Sequence, residues 1–202
     1  PPTEAAPTSP VELAAQILKD GKKRKVQWLL DHPLPPLHWK DAGHEEISEE
    51  CRTALFVAYC ELGRIGRSET AALLAEGIDE GDLVTLANEV YEIWLAAGAP
   101  SKTKWVLAFA AVFGGSAMTQ KLRHAIQEWP EAFRGAIACD AVAALTLSAD
   151  PSALLIVDSI SRKFKFRQVK AAAAAALKHA AQELGITSEE LADRIVPDLG
   201  FS

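Results

Sequence analysis

Three cysteines in 202 residues, an odd number, exclude a disulfide framework. Cys51 and Cys60 lie nine positions apart in what reads as a single helix. At about 100° per residue they fall on opposite faces, so they can neither pair nor share a metal. Such cysteine usage suits a reducing compartment, and a cytoplasmic location is expected. Long apolar runs are also scarce. The longest, Val106 to Met118, is too short to span a bilayer and is broken by Gly114-Gly115. The start is Pro-rich, with no basic segment followed by an apolar stretch, so no signal peptide is read there. It also lacks Met, which points to a piece of a longer chain. A basic excess is missing too. The formal net charge of −6 argues against a dedicated nucleic-acid binder. Residues 1–100 carry a balance of −8, and residues 101–202 one of +2.

Aromatic residues make up 7% of the chain, yet hydrophobic residues reach 49%, so alanine carries much of the apolar content. Alanine is the best helix former and a weak core filler, which favours closely spaced helices. The punctuation agrees. Pro1 to Thr8 reads as a disordered linker. Ser9, Pro10 and Glu12 then open a first helix as a capping box with a first-turn proline. A second helix is expected over about Lys22–Asp31, and residues 32–43, with three prolines, cannot be regular helix. Further helices are expected at Glu46–Leu62, Glu69–Ala75, Gly81–Ala97, Lys102–Phe113, Ala117–Glu128, Glu131–Leu147, Pro151–Phe164, Arg167–Leu184 and Ser188–Val196. Ser68, Asp79, Ser101, Ser116, Asp150 and Thr187 are placed as N-caps, and glycines or Trp129-Pro130 mark the breaks. No stretch alternates apolar and polar residues long enough to make a strand.

From about residue 102 the helices come in pairs. Ala141-Val142-Ala143-Ala144-Leu145 returns as Ala173-Ala174-Ala175-Ala176-Leu177, a separation of 32. A period of about 30–45 residues built of helix pairs is the signature of HEAT or armadillo stacking. The fold class is therefore all-α, a HEAT/armadillo-like α-solenoid of antiparallel helix pairs, with a compact multi-helix bundle as the alternative. One helical-repeat domain is expected over 9–202, less regular over 9–100 and regular over 101–202.

The second half also carries a family resemblance. Gly115-Ser116-Ala117-Met118-Thr119-Gln120-Lys121-Leu122-Arg123, then 153–160, and then 191–201 resemble the helical region of large bacterial molybdate-metabolism-regulator (MolR)-like proteins. In that family, HEAT-like repeats precede a large domain of unknown function, and Asp-x-x-Val-Pro-Asp-Leu-Gly marks the junction. Asp193, Val196, Pro197, Asp198, Leu199 and Gly200 match that marker. The resemblance implies a helical-repeat fold and a bacterial, cytoplasmic segment of a larger protein. It supplies no catalytic residue.

The five histidines, His32, His38, His44, His124 and His179, lack the spacing of a metal motif. Gly63-Arg64-Ile65-Gly66-Arg67-Ser68 lacks the preceding strand and the Gly-Lys-Ser/Thr ending of a phosphate loop, and reads as an interhelical turn. Cys139 reads as a small core residue and the five tryptophans as core packing. Asp140 or Asp158 could be nominated as the aspartate of a HEAT-like DNA glycosylase, but no motif supports either. The basic run Lys22-Lys23-Arg24-Lys25 is read as a solvated turn. The most distinctive stretch joins Arg162, Lys163, Lys165, Arg167 and Lys170 with Phe164 and Phe166, and no acidic residue occurs between Asp158 and Glu183. It serves either as a contact for an acidic surface or as a wet turn whose phenylalanines fill the core. The expectation is a non-catalytic protein-interaction or scaffold module with no cofactor, whose partner is another protein or an adjacent domain of the same chain. The alternative is nucleic-acid binding through 162–170, alone or as part of a HEAT-like DNA-repair enzyme.

Overall fold

Helix caps and left-handed residues punctuate the chain. Ser9, Ser48, Ser68, Asp79 and Asp150 each accept a backbone N–H from the first turn of the helix that follows. Thr187 and Glu190 form a reciprocal box, Glu190 N to Thr187 Oγ1 at 3.0 Å and Thr187 N to Glu190 Oε1 at 2.8 Å. The computed structural model describes residues 9–195. The linker expected at 1–8 and the Val196–Gly200 part of the family marker lie outside the described residues. Every regular element among those described is helical. Contacts divide the chain into two units whose boundary falls between Phe113 and Gly114, at the expected glycine break.

The first unit contains α1 (Pro10–Ile17), α2 (Gln27–Leu30), α3 (Glu49–Cys60), α4 (Glu69–Ala75), α5 (Glu80–Ala96) and α6 (Trp105–Phe113). Helix α3 is its centre. Residues Thr53 through Tyr59 are all buried, and α1, α4 and α6 pack around them. Phe109 of α6 fills the middle of an aromatic cluster, with ring centroids 5.4 Å from Phe56, 5.8 Å from Tyr59, 6.2 Å from Trp105 and 5.1 Å from Phe113. Edge-to-face pairs at such distances add to the burial of each ring.

The second helix, expected over about Lys22–Asp31, is a 3-10 segment at Lys19–Val26 followed by the single turn α2. Asp20 and Gly21 adopt positive φ, 66° and 71°, and Val26 leaves helical geometry at φ -118°, so α-helical bonding starts only at Gln27. The Pro-rich stretch 32–43 is not regular helix, as expected, but it is also not a free loop. It pairs as isolated antiparallel bridges, His38 with Glu46 and Trp39 with Ile78. Asp82 of α5 fixes it further, accepting from His38 N at 2.9 Å and lying 3.0 Å from His38 Nδ1.

The second unit contains α7 (Gly115–Glu128), α8 (Gly135–Leu145), α9 (Pro151–Lys163), α10 (Arg167–Leu184) and α11 (Ser188–Ile195). Helices α7 and α8 pack as neighbours, as do α9 and α10; α8 also packs on α10, α7 on α9, and α9 on α11. The two copies of the alanine run thus sit in α8 and α10, which touch. Ala141, Ala144, Ala173 and Ala176 are buried, while Ala171, Ala174 and Ala175 face solvent. Small buried side chains let these backbones approach closely.

Helix α8 begins at Gly135, four residues later than expected. Pro130–Ala132 is a 3-10 turn and Phe133 is left-handed at φ 63°, 96% exposed. Ser116 is not a cap either, because α7 starts at Gly115 with Gly114 in the cap position. Nor does Ser101 cap an α-helix: it opens a 3-10 turn, and α6 begins at Trp105.

Candidate functional site

Helices α7 and α9 of the second unit line a groove of about 480 Å³. From α7 come Gln120, Arg123 and Gln127, spaced i, i+3 and i+7 on one face. From α9 come Ser152, Leu155, Ile156, Ser159, Ile160 and Lys163, with Phe164 just beyond the helix end. This set repeats every three or four residues, so it forms one stripe along the whole helix. The floor is apolar: Ile160 is buried, and Leu155, Ile156 and Phe164 are half-buried. The rim is polar, with two hydroxyls, two amides and two cations, and no carboxylate lines the groove. Arg123 Nη1 donates to Gln120 Oε1 at 3.4 Å, a weak hydrogen bond.

The five basic residues read from the sequence do not form one patch of free charge. Arg162 Nε lies 3.1 Å from Asp158 Oδ2, one helical turn back. Lys165 Nζ lies 2.8 Å from Glu131 Oε2 and 5.3 Å above the Phe166 ring. Glu131 follows Pro130 in the turn before α8, far from Lys165 in sequence, so the local count of acidic residues overlooked it. Lys163, Arg167 and Lys170 have no carboxylate in ion-pair reach among the described residues, and of the five only Lys163 lines the groove. Phe164 and Phe166 are half-buried and tilted against each other at 6.2 Å. Their faces are partly spent on packing.

Sequence reasoning missed Gln120, Arg123 and Gln127. The signal was present as a polar stripe at helical spacing on α7, but nothing local showed that α9 lies alongside it.

In the first unit a smaller cavity, about 190 Å³, is lined by Cys60, Arg64, Lys102, Lys104 and Trp105 among others. Burial, reinforced by the Glu61 carboxylate, pushes the Cys60 thiol up. The Cys139 thiol is raised as well, by burial and then by Asp140, and its sulfur lies 3.6 Å from the Gln168 carbonyl. Both are therefore held as thiols, the poorly nucleophilic form. The basic run 22–25 meets Glu61, whose carboxylate accepts from Lys25 and lies 3.4 Å from Lys22. The Gly63–Ser68 segment is an interhelical turn that ends in the Ser68 cap of α4. Among the described residues no group of three or more His, Cys, Asp or Glu side chains is arranged to hold a metal ion, and no helix is long and apolar enough to cross a membrane.

Comparison with known proteins adds one relationship. Over 119 residues the chain is 35% identical to the uncharacterized protein YehI of Escherichia coli (strain K12). The match covers 59% of this chain and 10% of that protein, so the chain spans about a tenth of its relative's length. No family model matches the chain, and no solved structure matches it.

Proposed function

We propose that this chain is a non-catalytic protein-interaction module, a HEAT-like repeat segment acting within a larger bacterial, cytoplasmic protein. The observation that carries this reading is the arrangement of the second unit. Helix pairs α7–α8 and α9–α10 pack side by side, with α7, α9 and α11 in one row and α8 and α10 in another. Stacked pairs of this kind expose extended surfaces that bind partners without a reactive pocket. The α7–α9 groove, mixing apolar floor and polar rim, is such a surface. The MolR-like resemblance of residues 101–202 and the match to a small fraction of a long bacterial protein support the same reading. The thiols, held protonated by burial, and Asp158, held by Arg162, fit structural roles better than chemical ones.

Cross-linking mass spectrometry on the full-length protein in its own cells tests the proposal. It expects cross-links from the second unit to another protein or to a distant segment of the same chain. Cross-links confined to the unit itself would remove the basis of the reading.

A second reading, nucleic-acid binding through 162–170, draws support from Lys163, Arg167 and Lys170, which have no acidic partner among the described residues. The ion pairs of Arg162 and Lys165 and the half-buried phenylalanines weigh against it. It requires salt-sensitive retardation of DNA or RNA that vanishes when those five cations become Gln.

A further inference from the structure

The α7–α9 groove is specific enough to define the chemistry of what it would hold. We infer that it is the docking site for an acidic amphipathic helical segment, which seats aliphatic side chains on Leu155, Ile156 and Phe164 and carboxylates on Arg123 and Lys163. This deepens the interaction-module proposal and rests on it.

Charge gives the first argument. The whole chain carries a net charge of −6, yet the groove is lined by two cations and no carboxylate. The neighbouring cation Arg162, outside the groove, is already held by Asp158 at 3.1 Å. Lys163, inside it, has no such partner among the described residues, and Arg123 has only a 3.4 Å contact with an amide oxygen. Both cations thus remain available to an incoming carboxylate. An accessible polar rim of Gln120, Gln127, Ser152 and Ser159 can complete the hydrogen bonding.

Shape gives the second. The α9 stripe runs from Ser152 to Phe164, about 18 Å at 1.5 Å per residue. That length matches a partner helix of about three turns, the usual geometry of an amphipathic helix lying in a groove and anchored at i, i+3, i+4 and i+7. The three half-buried apolar side chains of the floor are spaced along this length and would be covered by such anchors. Nucleic acid fits less well, because two separated cations over an apolar floor whose single ring, Phe164, is half-buried offer neither a phosphate track nor a row of stacking surfaces.

The test uses the full 202-residue chain and a fluorescein-labelled helical peptide of about 15 residues, long enough for three turns and their ends. The peptide carries Leu along one face and Glu along the other, and fluorescence anisotropy is read at low and at physiological salt. Two further probes are the same peptide with every Glu→Gln and a single-stranded oligonucleotide. The acidic peptide is expected to bind, and the Arg123→Gln/Lys163→Gln double variant to weaken it by about twofold to thirtyfold, the range for two solvent-accessible charge pairs. Lys178→Gln, an exposed cation elsewhere on α10, is expected to leave affinity unchanged, and Ile156→Asp to abolish it. Equal affinity for the Glu and Gln peptides, indifference to the double variant, displacement of the peptide by the oligonucleotide, or no binding at all would each overturn the inference. If the peptide fails while cross-linking in the full-length protein still finds a partner on another face, the groove assignment falls and the module proposal stands. If both fail, both fall.

Discussion

Phe109→Ala is the perturbation that most severely tests the packing of the first unit. The ring is fully buried and meets four other aromatics at centroid distances from 5.1 to 6.2 Å. Truncating a buried Phe to Ala costs about 3–5 kcal/mol, counting lost transfer energy and the cavity left behind. The four ring contacts are part of that figure and should not be added again, but they place Phe109 toward its upper end. Large side chains surround the site on several elements, and Phe56 and Tyr59 both lie on the buried centre helix, so collapse into the cavity is restricted. Phe109→Leu keeps most of the volume and should cost about 1–2 kcal/mol. Phe133→Ala supplies the control, because that ring is 96% exposed and its loss should change stability by less than about 0.5 kcal/mol. The assay is urea unfolding of the whole chain, followed by tryptophan fluorescence, since Trp94 and Trp105 report on the first unit. A loss below about 1.5 kcal/mol for Phe109→Ala would be too small for a side chain filling a tight core site. That result would refute the aromatic cluster as the core of this unit.

Other substitutions probe polar groups. Tyr91 is buried beside Trp94, burial and then Glu92 push its hydroxyl well above the ordinary tyrosine range, and the hydroxyl has no hydrogen-bond partner among the described residues. Tyr91→Phe should therefore leave stability unchanged or raise it by up to about 1 kcal/mol, where a loss above 1.5 would show a bonded hydroxyl. Glu61 is held below the usual carboxylate value of 4.5 by the Lys25 hydrogen bond and then by Lys22. A lowered folded pKa contributes stability that is complete above the unfolded value and is lost as pH falls through the folded one. Glu61→Gln should thus lower the denaturation midpoint at pH 7, with the gap closing below about pH 4.5 and shrinking in high salt; a gap independent of pH would contradict the ion pair.

The all-helical character was legible because helix signals are local. Ser9, Ser68, Asp79, Asp150 and Thr187 cap as their side chains suggest, and glycines mark the breaks. The errors occur where the backbone leaves the right-handed region without a strong marker. Asp20 and Phe133 adopt positive φ although neither is glycine, and Phe133, inside the expected span of α8, displaces the start of that helix. The Pro-rich segment was correctly denied helix, but its pairing with Glu46 and Ile78 depends on elements distant in sequence. The candidate site shows the same limit. Lys163 was named from local charge, whereas Arg123 lies 40 positions earlier and joins it only because α7 packs on α9. Glu131 neutralises Lys165 from 34 positions away, which no local count of acidic residues could include. Spacing reports what shares a helix face; it is silent on which faces meet.

Binding of a polypeptide through the α7–α9 face of the second unit is the proposal on which the functional reading rests. Site-specific photo-cross-linking in the full-length protein tests it most directly, with the photoreactive residue placed at Gln127 in the groove or at Gln182, exposed on α10. An adduct is expected from position 127 to a polypeptide segment rich in Glu and Asp, suppressed by Arg123→Gln/Lys163→Gln, and none from position 182. Equal yields from the two positions, or an adduct at 127 to nucleic acid, would contradict it.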